Sequence, residues 1–243
     1  VTSVSVIVPL LNEAGRIQET LTGIRAALRE GDELIVVDGG SSDSSAALAA
    51  PLADRLLTHP AQRAGQMNAG AAEARGEWLW FIHADNLVLP SHRQALSALS
   101  GDAGWGRFDV CLDAPGLLFA TIGQLISLRS RITGIATGDQ ALFVRRSLFE
   151  AVGGFPPQPL MEDVALSACL RRHSRPVCLR PVMRTSARRW QSNGVWRTIG
   201  LMWRLRYRYW RGEDPASLHR AYYGASQQVE QGMRERGGPD GLR

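Results

Sequence analysis

The sequence predicts an α/β fold, a mostly parallel central sheet with helices on its faces. Apolar, β-branched runs alternate along the chain with segments of helical period, the pattern of successive βαβ units. Each run ends in a polar or glycine-rich turn. With 243 residues, 44% of them apolar, the chain can bury a core of that kind.

The first strand is "SVSVIVPLL" (3–11), ended by Pro9. Residues 13–30 then place apolar side chains at 17, 21, 24 and 28, which predicts a helix. "GDELIVVDGG" (31–40) reads as a second buried strand broken by glycines, and "SSDSSAALAA" opens a helix with hydroxyl and carboxylate caps. Residues 62–75 read as helix and 78–82 as strand. The alternation is expected to break at 104–112, before an apolar helix at 116–131 that is either buried or lies on the surface. A second region starts at 138–155, a helix begins near Glu162, and 195–211 reads as helix. The tail from about 225 is polar and Gly-rich and is expected to fray. No internal repeat is visible.

All 28 basic residues are arginine, a side chain suited to forked recognition of phosphate and carboxylate. Residues 1–170 carry 12 Arg against 18 Asp and Glu, a net −6; residues 171–243 carry 16 Arg against 5 acids, a net +11. The basic C-terminal third points to an anionic partner. Three cysteines (Cys111, Cys169, Cys178) without CxxC spacing point to a reducing compartment and no structural zinc. No signal peptide is expected from "VTSVSVIVPLLNE", and no run reaches the roughly 18 apolar residues of a membrane span.

In open α/β sheets, ligands bind outside the C-terminal ends of the strands. Four polar groups fall there: Asn12-Glu13, Asp38, Arg63 and Asp85, the last within "WLWFIHADN" (78–86). Each alone can be a turn or a cap; together they would face one crevice. GxGxxG and GxxxxGK[ST] are absent, which excludes an ordinary dinucleotide site or P-loop. A carboxylate after strand two can accept bonds from a ribose or base. One after a later strand can hold a divalent ion on a diphosphate. That chemistry fits a nucleotide-sugar.

"VSVIVPLLNE", "LIVVDGGSSDSS", "RAGQMNAGAAEARGEWLWFIHAD" and "MEDVAL" resemble, in order and spacing over residues 3–170, the family 2 glycosyltransferases of GT-A fold. The segment from "SARRWQSNG" onward is similar to a bacterial subgroup associated with arsenosugar biosynthesis. The resemblance implies a GT-A domain over 1–190 and a basic, aromatic helical extension over 191–243, packed on the same domain or at an interface. It implies that Pro9, Asn12 and Glu13 line the base and ribose pocket of the donor. Asp38 would contact the uracil or ribose, and Arg63 the base or diphosphate. Asp85 would ligate Mg²⁺ or Mn²⁺ as the last acid of a D-x-D motif. His83 stands where that motif has its first acid, and is expected to hydrogen-bond the donor; a plain capping role is the alternative. Asp163 would be the general base with Glu162 beside it; its bland role is a charge at a helix start. Asp139 and Gln140 would meet the acceptor or close the donor pocket, or merely form a turn. Arg189, in "RRW", would clamp the diphosphate from a loop, or sit on a solvated basic turn.

The implied activity is inverting transfer from a nucleoside-diphosphate donor, UDP by preference, to an acceptor hydroxyl. A donor-binding but inactive relative, a sugar-phosphate nucleotidyltransferase and a nucleic-acid-binding protein are the rivals. The last is disfavoured by the acids of the crevice, so no nucleic-acid partner is expected. Residues 195–211 mix Trp and Tyr with Arg, which suits an anionic membrane surface or a homodimer interface. The expected location is cytoplasmic, including the inner face of the membrane.

Overall fold

The computed structural model describes residues 2–99 and 101–224. The chain divides into two compact units, one of residues 1–157 and 162–186, the other of 158–161 and 187–243.

The first unit is built on strands β1 (Val4–Leu10), β2 (Glu33–Asp38), β3 (Arg55–Thr58), β4 (Trp78–Phe81), β5 (Asn86–Leu87), β6 (Trp105–Asp113), β7 (Phe143–Arg145) and β8 (Val177–Ser186). They form one sheet in the order β3-β2-β1-β4-β7-β6-β8-β5. The β3-β2-β1-β4 half is parallel, with Leu10 opposite Asp38 and Ile7 opposite Phe81. β7 enters antiparallel between β4 and β6, while β6 and β8 run parallel.

Alternation along the strands fills a core on each face. Val4, Val6, Val8, Leu34, Val36, Trp78 and Trp80 join one cluster with Ile17, Leu21 and Ile24 of α1 (Ile17–Ala27) and Leu96 of α4 (Pro90–Ser97). Ile7, Ile35, Val37, Leu79 and Phe81 join the other, with Ala64, Met67 and Ala71 of α3 (Arg63–Glu73), Phe149 of α6 (Arg146–Ala151) and Leu166 of α7 (Glu162–Leu170). Strands buried on both faces read as continuous apolar runs, which is why the sequence shows them so clearly. The edge strand β3 is only half-buried, alternating along four residues, and falls below that signal. So does α2 (Ser45–Ala49) in extent, being a single short turn of helix.

α5 (Leu117–Thr133) lies on the surface. It buries Ile122, Gly123, Ser127 and Ser130 and exposes Leu117, Leu125, Leu128 and Ile132. Gly123 lets it approach β6, since a Cβ there would fall 2.6 Å from the Val110 carbonyl oxygen. None of the helices of the described residues is long and apolar enough to cross a membrane.

α3 positions the functional edge. Gly70 has no Cβ to meet Ile7, whose Cγ2 would be 2.6 Å away, so the helix rests closely on β1. One turn earlier, buried Gln66 donates from Nε2 to the Leu10 carbonyl at 3.0 Å and the Val37 carbonyl at 2.8 Å.

The second unit contains α8 (Arg188–Asn193), α9 (Val195–Trp210) and a helical stretch at 215–224. α8 is helix where a loop was expected, and the Arg189 side chain lies outside the described residues, as does the tail from 225. Leu205, Leu218 and Tyr222 are buried, and Gln158 Nε2 lies 3.3 Å from the Tyr209 hydroxyl.

Replacing Gln66 by Leu removes the side-chain donor from the Leu10 and Val37 carbonyls, of which that of Leu10 keeps the Gly39 N–H at 2.7 Å. Urea unfolding of Gln66→Leu is expected to show a loss of about 1–3 kcal/mol.

Candidate active site

The first part of the site is a pair of loops sewn together beyond β1 and β2. Asn12 has φ 52°, a left-handed conformation that Asn tolerates. Its N–H donates to Ser41 Oγ at 3.0 Å, and its Oδ1 accepts the Ser42 N–H at 2.8 Å. The Glu13 N–H donates to Ser45 Oγ at 2.7 Å and the Ala14 N–H to Asp43 Oδ2 at 3.2 Å. The Glu13 carbonyl then accepts from the N–H groups of Arg16 and Ile17 at the start of α1.

Asp38 is 6% exposed and organises the second loop. Its carboxylate accepts the N–H of Gly40 at 3.1 Å, the N–H of Ser41 at 3.0 Å and the Ser41 hydroxyl at 2.5 Å. Pro9 is half-buried in β1, opposite Val37, and Glu13 is half-buried beside the seam. Sequence reasoning placed these residues on one edge but missed the seam of Ser41, Ser42, Asp43 and Ser45 that fixes them. The hydroxyl run "GSSDSS" was its signal.

The second part lies beyond β4. His83 and Asp85, both half-buried, follow the strand directly. A small cleft here is lined by Met67, Phe81, His83, Gly138, Glu162 and Asp163 among others. Three elements meet at Gly138, in the 3-10 turn Gly138–Gln140. Its N–H donates to Asp163 Oδ2 at 2.7 Å. On its other side lies the His83 ring, which a Cβ at 138 would reach at 2.3 Å from Nε2. A side chain at 138 would require the His83 ring to move. Asp163 Oδ1 also accepts its neighbour's N–H, from Val164, at 2.7 Å.

Glu162 is buried beside Asp163, and Arg63 Nη1 lies 3.6 Å from its Oε1. Burial, then the charge of Asp163, push the Glu162 carboxyl up to about 7, and the Arg63 guanidinium offsets part of that rise. Gln140 is fully buried, and its Oε1 accepts the Thr137 N–H at 3.1 Å, which closes the turn. The Asp139 carbonyl accepts from Asn86 Nδ2 at 3.2 Å. Thus the turn presents the Gly138 backbone to the cleft while Gln140 holds the turn's shape. Gly138 was not among the residues singled out from sequence; its position one before the polar pair was the available hint.

The donor set also bears on a metal. Among the described residues, no group of three or more His, Cys, Asp and Glu could hold an ion. Asp85 can contribute one carboxylate just past β4. That suits a hard cation that takes its other oxygens from a phosphate ligand and water. It does not suit a self-contained protein cage.

Residues 5–102 match the family model of glycosyl transferase family 2. The family 2 match covers the sewn loops, α3, β4 and the His83 and Asp85 that follow it. A PGL/p-HBAD biosynthesis glycosyltransferase of Mycobacterium tuberculosis is 31% identical over 164 residues, 62% of this chain and 62% of that relative. An uncharacterized glycosyltransferase of the same organism is 33% identical over 166 residues, 63% of this chain and 62% of its own length. The chain therefore spans less than two thirds of these relatives. A mannosyltransferase of Pyrobaculum calidifontis, solved with GDP-Man and Mn²⁺, superposes with TM-score 0.59 at 25% identity, over 74% of this chain and 56% of that one. Residues 1–349 of S. aureus TarS, solved with UDP-GlcNAc, share the fold at TM-score 0.62 and 18% identity, over 76% of this chain and 58% of that one. The fold is the GT-A fold of these solved glycosyltransferases.

The raised Glu162 carboxyl makes a signed prediction. The folded state holds its proton up to about 7 and the unfolded chain only to its ordinary 4.5, so between these values the folded state binds more protons. Stability contributed by Glu162 therefore falls as pH rises through that window. The Glu162→Gln variant is expected to show a flatter fall of thermal midpoint with pH than the wild type.

Proposed function

We propose that this chain is an inverting glycosyltransferase that uses a nucleoside-diphosphate sugar, with UDP the preferred nucleotide. The observation that carries this reading is the meeting of Asp163, Gly138 and His83 in one cleft, next to the edge formed by the β1 and β2 loops. The family 2 match over the donor half supports it, as do relatives named glycosyltransferases. Resemblance of the C-terminal segment to the arsenosugar-associated subgroup supports a place there.

In this reading the sewn loops bind the nucleoside, with Pro9, Asn12 and Glu13 at the base and ribose. Asp38 acts by holding the 39–41 loop against them and offers its edge to the ribose. Arg63 and Arg189 attract the diphosphate, and His83 hydrogen-bonds the donor. Asp85 would hold a divalent cation, Mn²⁺ or Mg²⁺, which when bound supplies positive charge to the diphosphate oxygens. Asp139, beside the cleft, faces the acceptor.

Asp163 takes the proton of the acceptor hydroxyl. The acceptor oxygen forms its bond to the anomeric carbon from the side opposite the diphosphate. The bond from that carbon to the diphosphate oxygen breaks, and the nucleoside diphosphate leaves with the electron pair. One displacement inverts the anomeric centre. Two N–H bonds hold the Asp163 carboxylate in place, and each oxygen keeps a further lone pair for the proton. Protonated Glu162 adds no second negative charge beside it below about pH 7.

Calorimetric titration with uridine diphosphate is the direct test. Binding that strengthens with Mn²⁺ and is lost in Asp85→Ala is expected; no binding of any nucleoside diphosphate, with or without metal, overturns the reading. Asp163→Asn should keep that binding and lose about 10²–10⁴-fold in transfer rate, measured as release of nucleoside diphosphate once an acceptor is found. Binding without transfer by the wild type on any acceptor would leave the inactive relative.

A further inference from the structure

The second unit carries a surface that the transfer chemistry does not use. On α9, Trp196, Trp203 and Trp210 are 76%, 76% and 77% exposed, and Tyr207 is 59% exposed. Their spacing of seven residues returns each tryptophan to nearly the same side of the helix, with a drift of about 20° per step. Tyr207 falls four residues after Trp203, on the same face. Four large aromatic rings therefore form one ridge, while Leu205 and Thr198 take the buried side.

A second row runs beside the first. Arg197, Arg204 and Arg211 each follow one of the tryptophans, and all three are exposed. Arg208 faces elsewhere and is bound through Nε to Glu213 Oε2 at 2.6 Å. From Val195 to Trp210 there is no acidic residue. The ridge is thus aromatic along its crest and cationic along its flank.

We propose that this face of α9 docks on an anionic lipid surface. Tryptophan and tyrosine settle at headgroup depth, where the ring body is in an apolar layer and its polar edge stays wet. Arginines alongside meet lipid phosphates. The charge pattern separates this occupant from a second copy of the chain. A symmetric contact would set this helix against itself, and the helix offers no carboxylate to answer its own arginines. The net +11 of residues 171–243 reinforces attraction to a negative surface. A shallow interfacial contact of this kind needs no spanning helix, and none is found among the described residues. The inference stands independently of the transfer reading.

The test is co-sedimentation of the full chain with vesicles of phosphatidylcholine alone and of phosphatidylcholine mixed with phosphatidylglycerol. The protein is expected to sediment with the mixed vesicles, to stay in solution with the neutral ones, and to be released by salt. Tryptophan emission should shift to the blue on binding. Trp196→Ser combined with Trp203→Ser should abolish the emission shift. Arg197→Gln with Arg204→Gln and Arg211→Gln should weaken partitioning at least about tenfold. Circular dichroism and thermal unfolding check that the variants keep their fold. Failure to bind the mixed vesicles overturns the proposal, as does equal binding to both kinds. So does a wild-type dimer in light scattering that the tryptophan variant dissociates, or retention of a single-stranded oligonucleotide more tightly than vesicles.

Discussion

The site rests on the two hydrogen bonds of Gln66. Parallel strands β1 and β2 end side by side, where the Leu10 carbonyl accepts the Gly39 N–H at 2.7 Å and the Asp38 carbonyl the His59 N–H at 2.9 Å. One buried amide nitrogen donates to the carbonyls of Leu10 and Val37, and so ties the two strand ends to α3. Everything beyond that point depends on the strand ends keeping a common position. The Asn12–Ser41 and Glu13–Ser45 bonds can close only if Leu10 and Asp38 stay level. Gly70 sets the height of the amide above the sheet, by allowing α3 to lie on Ile7. A polar side chain buried in this way is costly unless satisfied, and satisfied it specifies one arrangement.

The cleft beyond β4 follows different physics. Two carboxyl groups stand on consecutive residues at the start of α7, with unequal surroundings. Glu162 is turned into the protein, and Asp163 toward backbone donors. Burial raises the first, and the charge of the second adds to that rise. Environments that push neighbouring acids apart allow one to hold a proton while the other accepts one. Arg63 moderates the difference from the first turn of α3, so the helix that fixes the strand ends also bears on the acid pair.

Much of this was legible in the chain. The strands β1, β2 and β4 announce themselves because burial on both faces makes them continuously apolar. α1 and α9 show because their apolar spacing is helical. The half-buried β3 did not, since four residues of alternating exposure carry too little signal. Asn12, Asp38, His83 and Asp85 stand out as polar residues that follow apolar runs, and Asp163 as an acid at a helix start, both local features. Gly138 and Gln66 do not, because their roles come from partners at His83, Leu10 and Val37, remote in sequence and set only by the fold. Gln140, two residues after Gly138, is legible as a polar residue, but the bond from the Thr137 N–H to its Oε1 that closes the turn is visible only in the fold. α5 is legible as a helix but not in its orientation, since its small polar residues face inward and its leucines outward.

The antiparallel entry of β7 gives the molecule a second source of site residues. In the parallel half of the sheet, only segments that follow strands reach the functional edge. Because β7 runs the other way, the segment that precedes it arrives at that edge as well, and delivers Gly138 beside His83. Pairing of Trp80 with Phe143, and the bond from the Phe81 N–H to the Leu142 carbonyl at 2.9 Å, pin that arrival on the β4 side, and pairing of Gly106 with Phe143 pins it on the β6 side. The stretch from the end of β6 to the 3-10 turn includes α5, which is tied to β6 through Ser127 and Ser130 and exposes its leucines. Length and sequence can change in its exposed parts while the loops beyond β1 and β2 keep their bonds to each other.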